Sequence, residues 1–160
     1  MRTDFLDIYL SKKCRFILCS DTGISFPAEV FKRPLVYVNW TMALRVPVYA
    51  AYGLVIFKKF HLNKENRDMS FSEIINLEFG SIDTNEIFAS LNLELIENSP
   101  DEIHAVTIEM DERLNGTWET TEEDEKLQQR FWDLFGPDKL KSPDLRIGAK
   151  YLRQNKELLI

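Results

Sequence analysis

Two cysteines and two histidines in 160 residues leave little material for a metal centre or a disulfide framework. Cys14 and Cys19 lack Cys-x-x-Cys spacing and fall in and beside an apolar segment, so small buried thiols in a reducing cytosol are the simplest reading. Six glycines and six prolines are too few for a collagen-like or low-complexity chain, and no internal repeat is visible. Long apolar runs are absent as well. The longest, residues 46–57, is broken by Pro47 and Gly53 and falls short of the roughly 20 residues that a membrane-spanning helix needs, so no membrane span is expected. Asp4 and Asp7 stand where a secretory signal would carry positive charge, which favours a cytoplasmic location. The basic residues are scattered and no nucleic-acid-binding motif accompanies them, so nucleic acid is not an expected partner.

What is present is the balance of one folded domain. Hydrophobic residues make up 44% and charged residues 29%, enough for a core and too apolar for a disordered chain. The net charge of −6 is unevenly spread. Residues 1–67 hold eleven Lys/Arg against five Asp/Glu, and residues 68–160 hold nine against twenty-one. An anionic ligand would therefore meet the first part of the chain.

Periodicity and capping signals predict an α/β chain. Asp4 can cap a helix over residues 4–12 whose Phe5, Leu6, Ile8, Tyr9 and Leu10 make it largely buried. Residues 15–19 read as a strand covered on both faces, residues 24–31 as a short helix with Pro27 in its first turn, and residues 35–38 as the next strand. The unit is βαβ. Residues 41–53 are apolar and irregular and receive no assignment; a strand follows at 54–57 and another inner strand at 93–96. Ser70 with Glu73, Asp83 with Glu86 and Ser99 with Glu102 each mark a helix start, and the last of these has Pro100 at its first position and ends at Asn115-Gly116. Thr120 or Thr121 caps a further helix whose acidic first turn suits the helix dipole and whose buried stripe is Leu127, Phe131, Leu134 and Phe135. A last helix is expected over residues 147–159.

The polar break Ser20-Asp21-Thr22-Gly23 between the first strand and its helix opens at the carboxyl edge of such a sheet, where anions collect. Gly23 permits close backbone approach, and the hydroxyls of Ser20, Thr22 and Ser25 can donate to phosphate oxygens. Asp21 would repel a diphosphate, so it caps the helix, holds a ribose or amine, or acts on a reacting group. A plain polar turn with a helix cap accounts for the spacing equally well.

Residues 20–38, SDTGISFPAEVFKRPLVYV, resemble the donor-binding half of two-domain, Rossmann-like (GT-B) glycosyltransferases, in which an Asp/Ser-Thr/Ser-Gly loop opens a helix and a Lys/Gly-x-Pro-hydrophobic strand follows. Asp21-Thr22-Gly23 is similar to the loop of heptosyltransferases. The likeness to a bacterial glycosyltransferase family extends over most of the chain, through Glu97-Asn98-Ser99-Pro100-Asp101-Glu102-Ile103, EMDERLNGTW and RIGAKYLRQNKELL. It implies that Asp21, Thr22 and Gly23 contact the diphosphate or sugar of a nucleotide diphosphate sugar, with Ser20, Ser25 and the helix N-terminus beside them. Glu29 matches the acid that holds ribose hydroxyls in many such enzymes, or else is a solvated helix residue. Asn39 and Trp40 could reach the same cleft, Trp40 stacking on a base or sugar or else joining the core. Lys32, Arg33, Lys58 and Lys59 are available to screen a diphosphate, whereas His61 and His104 stand beside no evident nucleophile. No cofactor is implied, and without an Asp-x-Asp motif the helix N-terminus would stabilise the departing diphosphate in place of a metal.

The resemblance also implies missing parts. Residues 1–136 read as an incomplete Rossmann-like three-layer domain with a short, mainly parallel sheet and a helix-rich C-terminal half. Residues 137–160 read as a linker and a helix that crosses to a missing N-terminal domain or upstream polypeptide. On this reading the chain is the donor half of a truncated or split glycosyltransferase, inactive alone, with the acceptor and catalytic base unassigned. A non-catalytic nucleotide-binding or protein-interaction module, or a relative of sugar-nucleotide epimerases, are the alternatives. Self-association through an unpaired sheet edge is a further expectation.

Overall fold

The computed structural model describes residues 3–20, 22–23, 25–41, 52–77, 84–136 and 144–160. Their elements, in chain order, are α1 (Asp4–Lys13), β1 (Ile17–Cys19), α2 (Ser25–Val30), β2 (Leu35–Trp40), β3 (Gly53–Phe57), β4 (Lys59–Leu62), β5 (Arg67–Asp68), α3 (Phe71–Asn76), α4 (Thr84–Leu91), β6 (Leu93–Ile96), α5 (Pro100–Asn115), α6 (Glu122–Asp133), β7 (Leu145–Ile147), α7 (Ala149–Gln154) and a 3-10 turn (Lys156–Leu158). The strands β1, β2, β3 and β7 lie side by side in that order, and every neighbouring pair is parallel. The fold is α/β with a short, Rossmann-like parallel sheet, the class the sequence pattern predicts. Among the described residues no helix is long and apolar enough to cross a membrane.

The sheet is parallel because its strands are apolar on both faces. All five residues of β3 are buried, and Leu35 to Val38 of β2 are equally enclosed. Side chains alternate along these strands, so Tyr37 and Ile56 point to opposite faces. Tyr37 meets α2, donating its hydroxyl proton to Glu29 at 2.8 Å, while Ile56 lies beside Val106 of α5 at the Gly148 turn. A Cβ on Gly148 would come within 2.9 Å of Ile56 and 3.2 Å of Val106, which is why glycine occupies the turn from β7 into α7. At the end of β3, Phe57 stacks on Phe131 of α6 (centroids 5.6 Å apart) and meets Phe71 of α3 edge-on at 5.7 Å.

Several expectations need correction. Thr3, not Asp4, caps α1 by accepting from the Leu6 N–H, and α1 is not buried: Phe5, Ile8, Tyr9 and Leu10 are all exposed. Among the described residues β1 is an edge strand, and Leu18 is 44% exposed instead of covered. Residues 93–96 do form a strand, but it pairs antiparallel with β4 in a second sheet of order β5, β4, β6 and leaves the parallel sheet untouched. Residues 147–159 are not one helix. Leu145 to Ile147 return to the sheet as β7, and Tyr151, Leu152 and Leu159, expected to face a missing domain, are buried in this one. The unassigned residues 42–51 and the cap at Asp83 lie outside the described residues. Both cysteines are free thiols, Cys19 buried and Cys14 half-buried.

Polar side chains close the ends of this framework. The Ile147 N–H and C=O point outward from the β7 edge, since the flanking Gly148 N–H and Asp144 C=O bond to β3. The buried Gln128 carboxamide takes both, accepting from the Ile147 N–H at 3.1 Å and donating to its carbonyl. One side chain thus replaces a neighbouring strand. Helix α7 has no side-chain cap of its own; instead Glu109 of α5 accepts from the Ala149 N–H at 2.7 Å while facing Arg113. Burial pushes the Glu109 carboxyl up, against the opposing pull of that N–H and of Arg113.

Asp124 completes the capping box of α6 with Thr121 and pairs with Arg153 of α7 at 2.7 Å. Burial raises its pKa, but the bonds from Arg153 and Thr121 outweigh burial and hold the carboxyl below its usual range.

Two outcomes follow for urea unfolding. Gln128→Ala, which leaves the Ile147 donor and acceptor unpaired, should lower stability by about 2 kcal/mol or more. Because Asp124 is depressed in the folded chain, the unfolded chain binds the extra proton, so its stabilisation is complete above the unfolded carboxylate value of about 4 and fades as pH falls through the folded value. Asp124→Asn should therefore cost stability at neutral pH and flatten the acid limb of the stability profile, and an unchanged acid limb would refute the assignment.

Candidate functional site at the carboxyl end of the parallel sheet

The loop from β1 into α2 and the loop leaving β2 both emerge at the carboxyl ends of parallel strands. Asp21 and Ile24 of the first loop lie outside the described residues. Thr22 and Gly23 are exposed, Ser20 is half-buried and Ser25 is buried. Among the described residues nothing calls for glycine at residue 23. Its φ lies outside the left-handed region, and a Cβ built there meets nothing within 4 Å.

Donors near the start of α2 are engaged inside the loop. The Thr22 N–H bonds to the Ser20 carbonyl at 2.7 Å, the Ser25 N–H to the Thr22 carbonyl at 3.2 Å and the Phe26 N–H to the Gly23 carbonyl at 3.4 Å, while Pro27 has no N–H to offer. The Ser25 hydroxyl also donates to the Thr22 carbonyl. Ser25 is thus turned inward, away from where a ligand would lie. Glu29 is half-buried and accepts from Tyr37, which ties it to β2. Arg33 is likewise committed, donating from Nε to the Cys14 carbonyl at 2.9 Å. Lys32 is exposed.

At the end of β2 the backbone departs from regular geometry. The register with β3 shifts between Tyr37 and Trp40, and Asn39 takes a left-handed φ of 54°, a conformation that asparagine tolerates better than most residues. Asn98 holds it there. The Asn39 N–H donates to Asn98 Oδ1 and the Asn98 N–H donates to Asn39 Oδ1, both at 2.6 Å, while Asn98 Nδ2 donates to the Phe57 carbonyl at 2.7 Å. Two asparagines therefore lock the carboxyl ends of β2 and β3 to the N-terminus of α5, whose capping box of Ser99 and Glu102 begins at the next residue. Trp40 is 8% exposed and packs edge-on against Tyr37 at 5.0 Å, so it belongs to the core and offers no face for stacking on a base. Lys58 pairs with Glu97 at 3.3 Å across the same edge.

The structure thus gathers Ser20, Thr22 and Gly23 at one end of the sheet and places Asn39 at the same end, whereas Ser25, Glu29, Asn39 and Trp40 are engaged in packing or hydrogen bonds. No local sequence signal assigns this role to Asn98. The only trace it leaves is an asparagine placed between a short apolar strand and the Ser-Pro helix start. His61 pairs through Nδ1 with Asp68 of the β4/β5 hairpin at 2.7 Å, and His104 is exposed on α5. Among the described residues no group of three or more His, Cys, Asp or Glu could hold a metal ion.

Replacing Asn98 by Leu should cost about 3 kcal/mol or more in urea unfolding, since it strands the Asn39 N–H and the Phe57 carbonyl. Asn39→Gly should cost less than Asn39→Val, because glycine accepts the left-handed φ and valine does not; equal losses would show that backbone conformation is not what Asn39 supplies. No family model matches the chain, and neither a curated protein nor a solved structure matches it.

Proposed function

We propose that this chain is the donor-binding part of a glycosyltransferase, holding a nucleotide diphosphate sugar at the loop between β1 and α2. The observation that carries the reading is Gly23: an exposed glycine at the carboxyl end of a parallel strand, with neither the backbone angle nor the crowding that would call for glycine within the fold. Close approach of a ligand to the peptide is one physical reason for a missing side chain there. The resemblance of residues 20–38 to GT-B donor loops supports the same reading.

Because the first-turn N–H groups of α2 bond within the loop, the diphosphate contacts fall to the Ser20 and Thr22 hydroxyls and to the backbone at Gly23. Asn39 lies at the same end of the sheet, held by Asn98. The acceptor, and the group that activates it, belong to a domain facing this edge of the sheet, contributed by another polypeptide or another part of the same one. Transfer of the sugar to that acceptor would release the nucleoside diphosphate. The second reading, a protein-interaction module, is favoured by the exposed apolar residues of α1.

Calorimetric titration with UDP, GDP and ADP separates the two. Binding of one nucleotide, lost on Gly23→Val with an unchanged melting temperature, is the expected result; the unchanged melting temperature follows from the open space around the glycine. Absence of heat with all three nucleotides, or full binding by the valine variant, would overturn the proposal.

A further inference from the structure

The chain contains a single Asn-Gly pair, Asn115-Gly116, and the structure sets it at the exposed C-terminal end of α5. Asparagine followed by glycine is the pair most open to attack on its own carboxamide, because no side chain shields the following peptide nitrogen. That nitrogen must give up its proton and reach the side-chain carbonyl carbon of Asn115. Closure forms a five-membered succinimide and expels ammonia. Water then opens the ring to aspartate or isoaspartate, and no other reactant is consumed.

Both reacting groups are occupied in the folded chain. The Gly116 N–H donates back to the Glu112 and Arg113 carbonyls, with Gly116 in the left-handed conformation (φ 71°) that ends α5. Losing the proton means losing those bonds. The Asn115 carboxamide is held separately: its Oδ1 accepts from Arg15 Nη2, and its Nδ2 donates to Asp111 Oδ2 at 3.0 Å. Arg15 Nε also lies 3.4 Å from Asp111 Oδ1, so one guanidinium spans both side chains. Arg15 belongs to the segment between α1 and β1, 100 residues from Asn115. The clamp is therefore tertiary and exists only while that segment sits against the end of α5.

We infer that Asn115 is a site of spontaneous deamidation, held closed by the C-terminal cap of α5 and by Arg15. The last turn of a helix opens more readily than its middle, and Arg15 opposes the rotation of the carboxamide that attack requires. Conversion replaces the donor to Asp111 by a second carboxylate, which sets like charges side by side. The isoaspartate form also adds a methylene to the main chain at the cap. The site lies at the opposite end of α5 from Asn98 and the inference does not rest on the nucleotide reading.

Incubating the full chain in mildly alkaline buffer and mapping its peptides by mass spectrometry tests this. Asn115 should convert ahead of every other asparagine, and more slowly in the folded chain than in the same chain held unfolded in urea. Arg15→Ala should speed conversion at Asn115 about threefold or more and leave the other asparagines unchanged. Arg15→Lys keeps the charge without the planar fork and should fall between the two. Arg15 is exposed, and circular dichroism identifies a variant that misfolds. Conversion led by another asparagine, or as fast in the folded chain as in urea, would overturn the inference. So would an Arg15→Ala rate that is unchanged at Asn115, or one raised equally at all asparagines, which is the mark of general unfolding.

Discussion

Strand β3 constrains everything around it. It is hydrogen-bonded to β2 on one side and β7 on the other, and each of its side chains is buried, so neither its edges nor its faces can meet water. A parallel strand in this position requires a helical layer on both faces and a crossover long enough to bring the chain back in the same direction. Helix α2 meets the first demand on the Tyr37 face, and α5 on the Ile56 face. The route through β4, α5 and α6 to β7 meets the second.

Long crossovers leave helix ends and strand edges deep in the molecule, and the chain satisfies these with a small number of buried polar side chains. Gln128 stands in for a strand beside β7, Glu109 caps α7 from a different helix, and Asp124 joins its own capping box to Arg153. Each bond links elements 19 to 40 residues apart in sequence. The same device appears at the carboxyl edge, where Asn98 fixes Asn39 and Phe57 from a distance of 59 and 41 residues. A buried amide or carboxylate is tolerated only when its partners are in place, so these residues specify the packing as well as stabilise it.

That locked edge gives the candidate site its character. Thr22 and Gly23 stand exposed beside a strand end held in a left-handed turn, and the helix behind them is short, with its first donors already used. Binding there would rely on hydroxyls and on backbone approach at the glycine, with less help from the helix terminus than the sequence pattern suggested. The exposed apolar residues of α1 and Leu18 of β1 form a separate surface.

Local signals settled much of this architecture without coordinates. The βαβ unit, the capping signals at Ser70 and Ser99, a helix start at Thr120 or Thr121, the extent of α5 and the polar loop after β1 all depend on neighbouring residues, and periodicity and cap chemistry act over only a few positions. Burial, strand partnership and the fate of the polar side chains were decided by the tertiary structure. Apolar spacing in α1 and residues 15–19 reads as core whether or not anything lies across from it, and residues 145–147 are too few to announce a strand until β3 offers an edge. The roles of Trp40, Glu29 and Asn98 were hidden for the same reason: whether a polar or aromatic side chain meets ligand, water or protein depends on groups brought beside it from far along the chain.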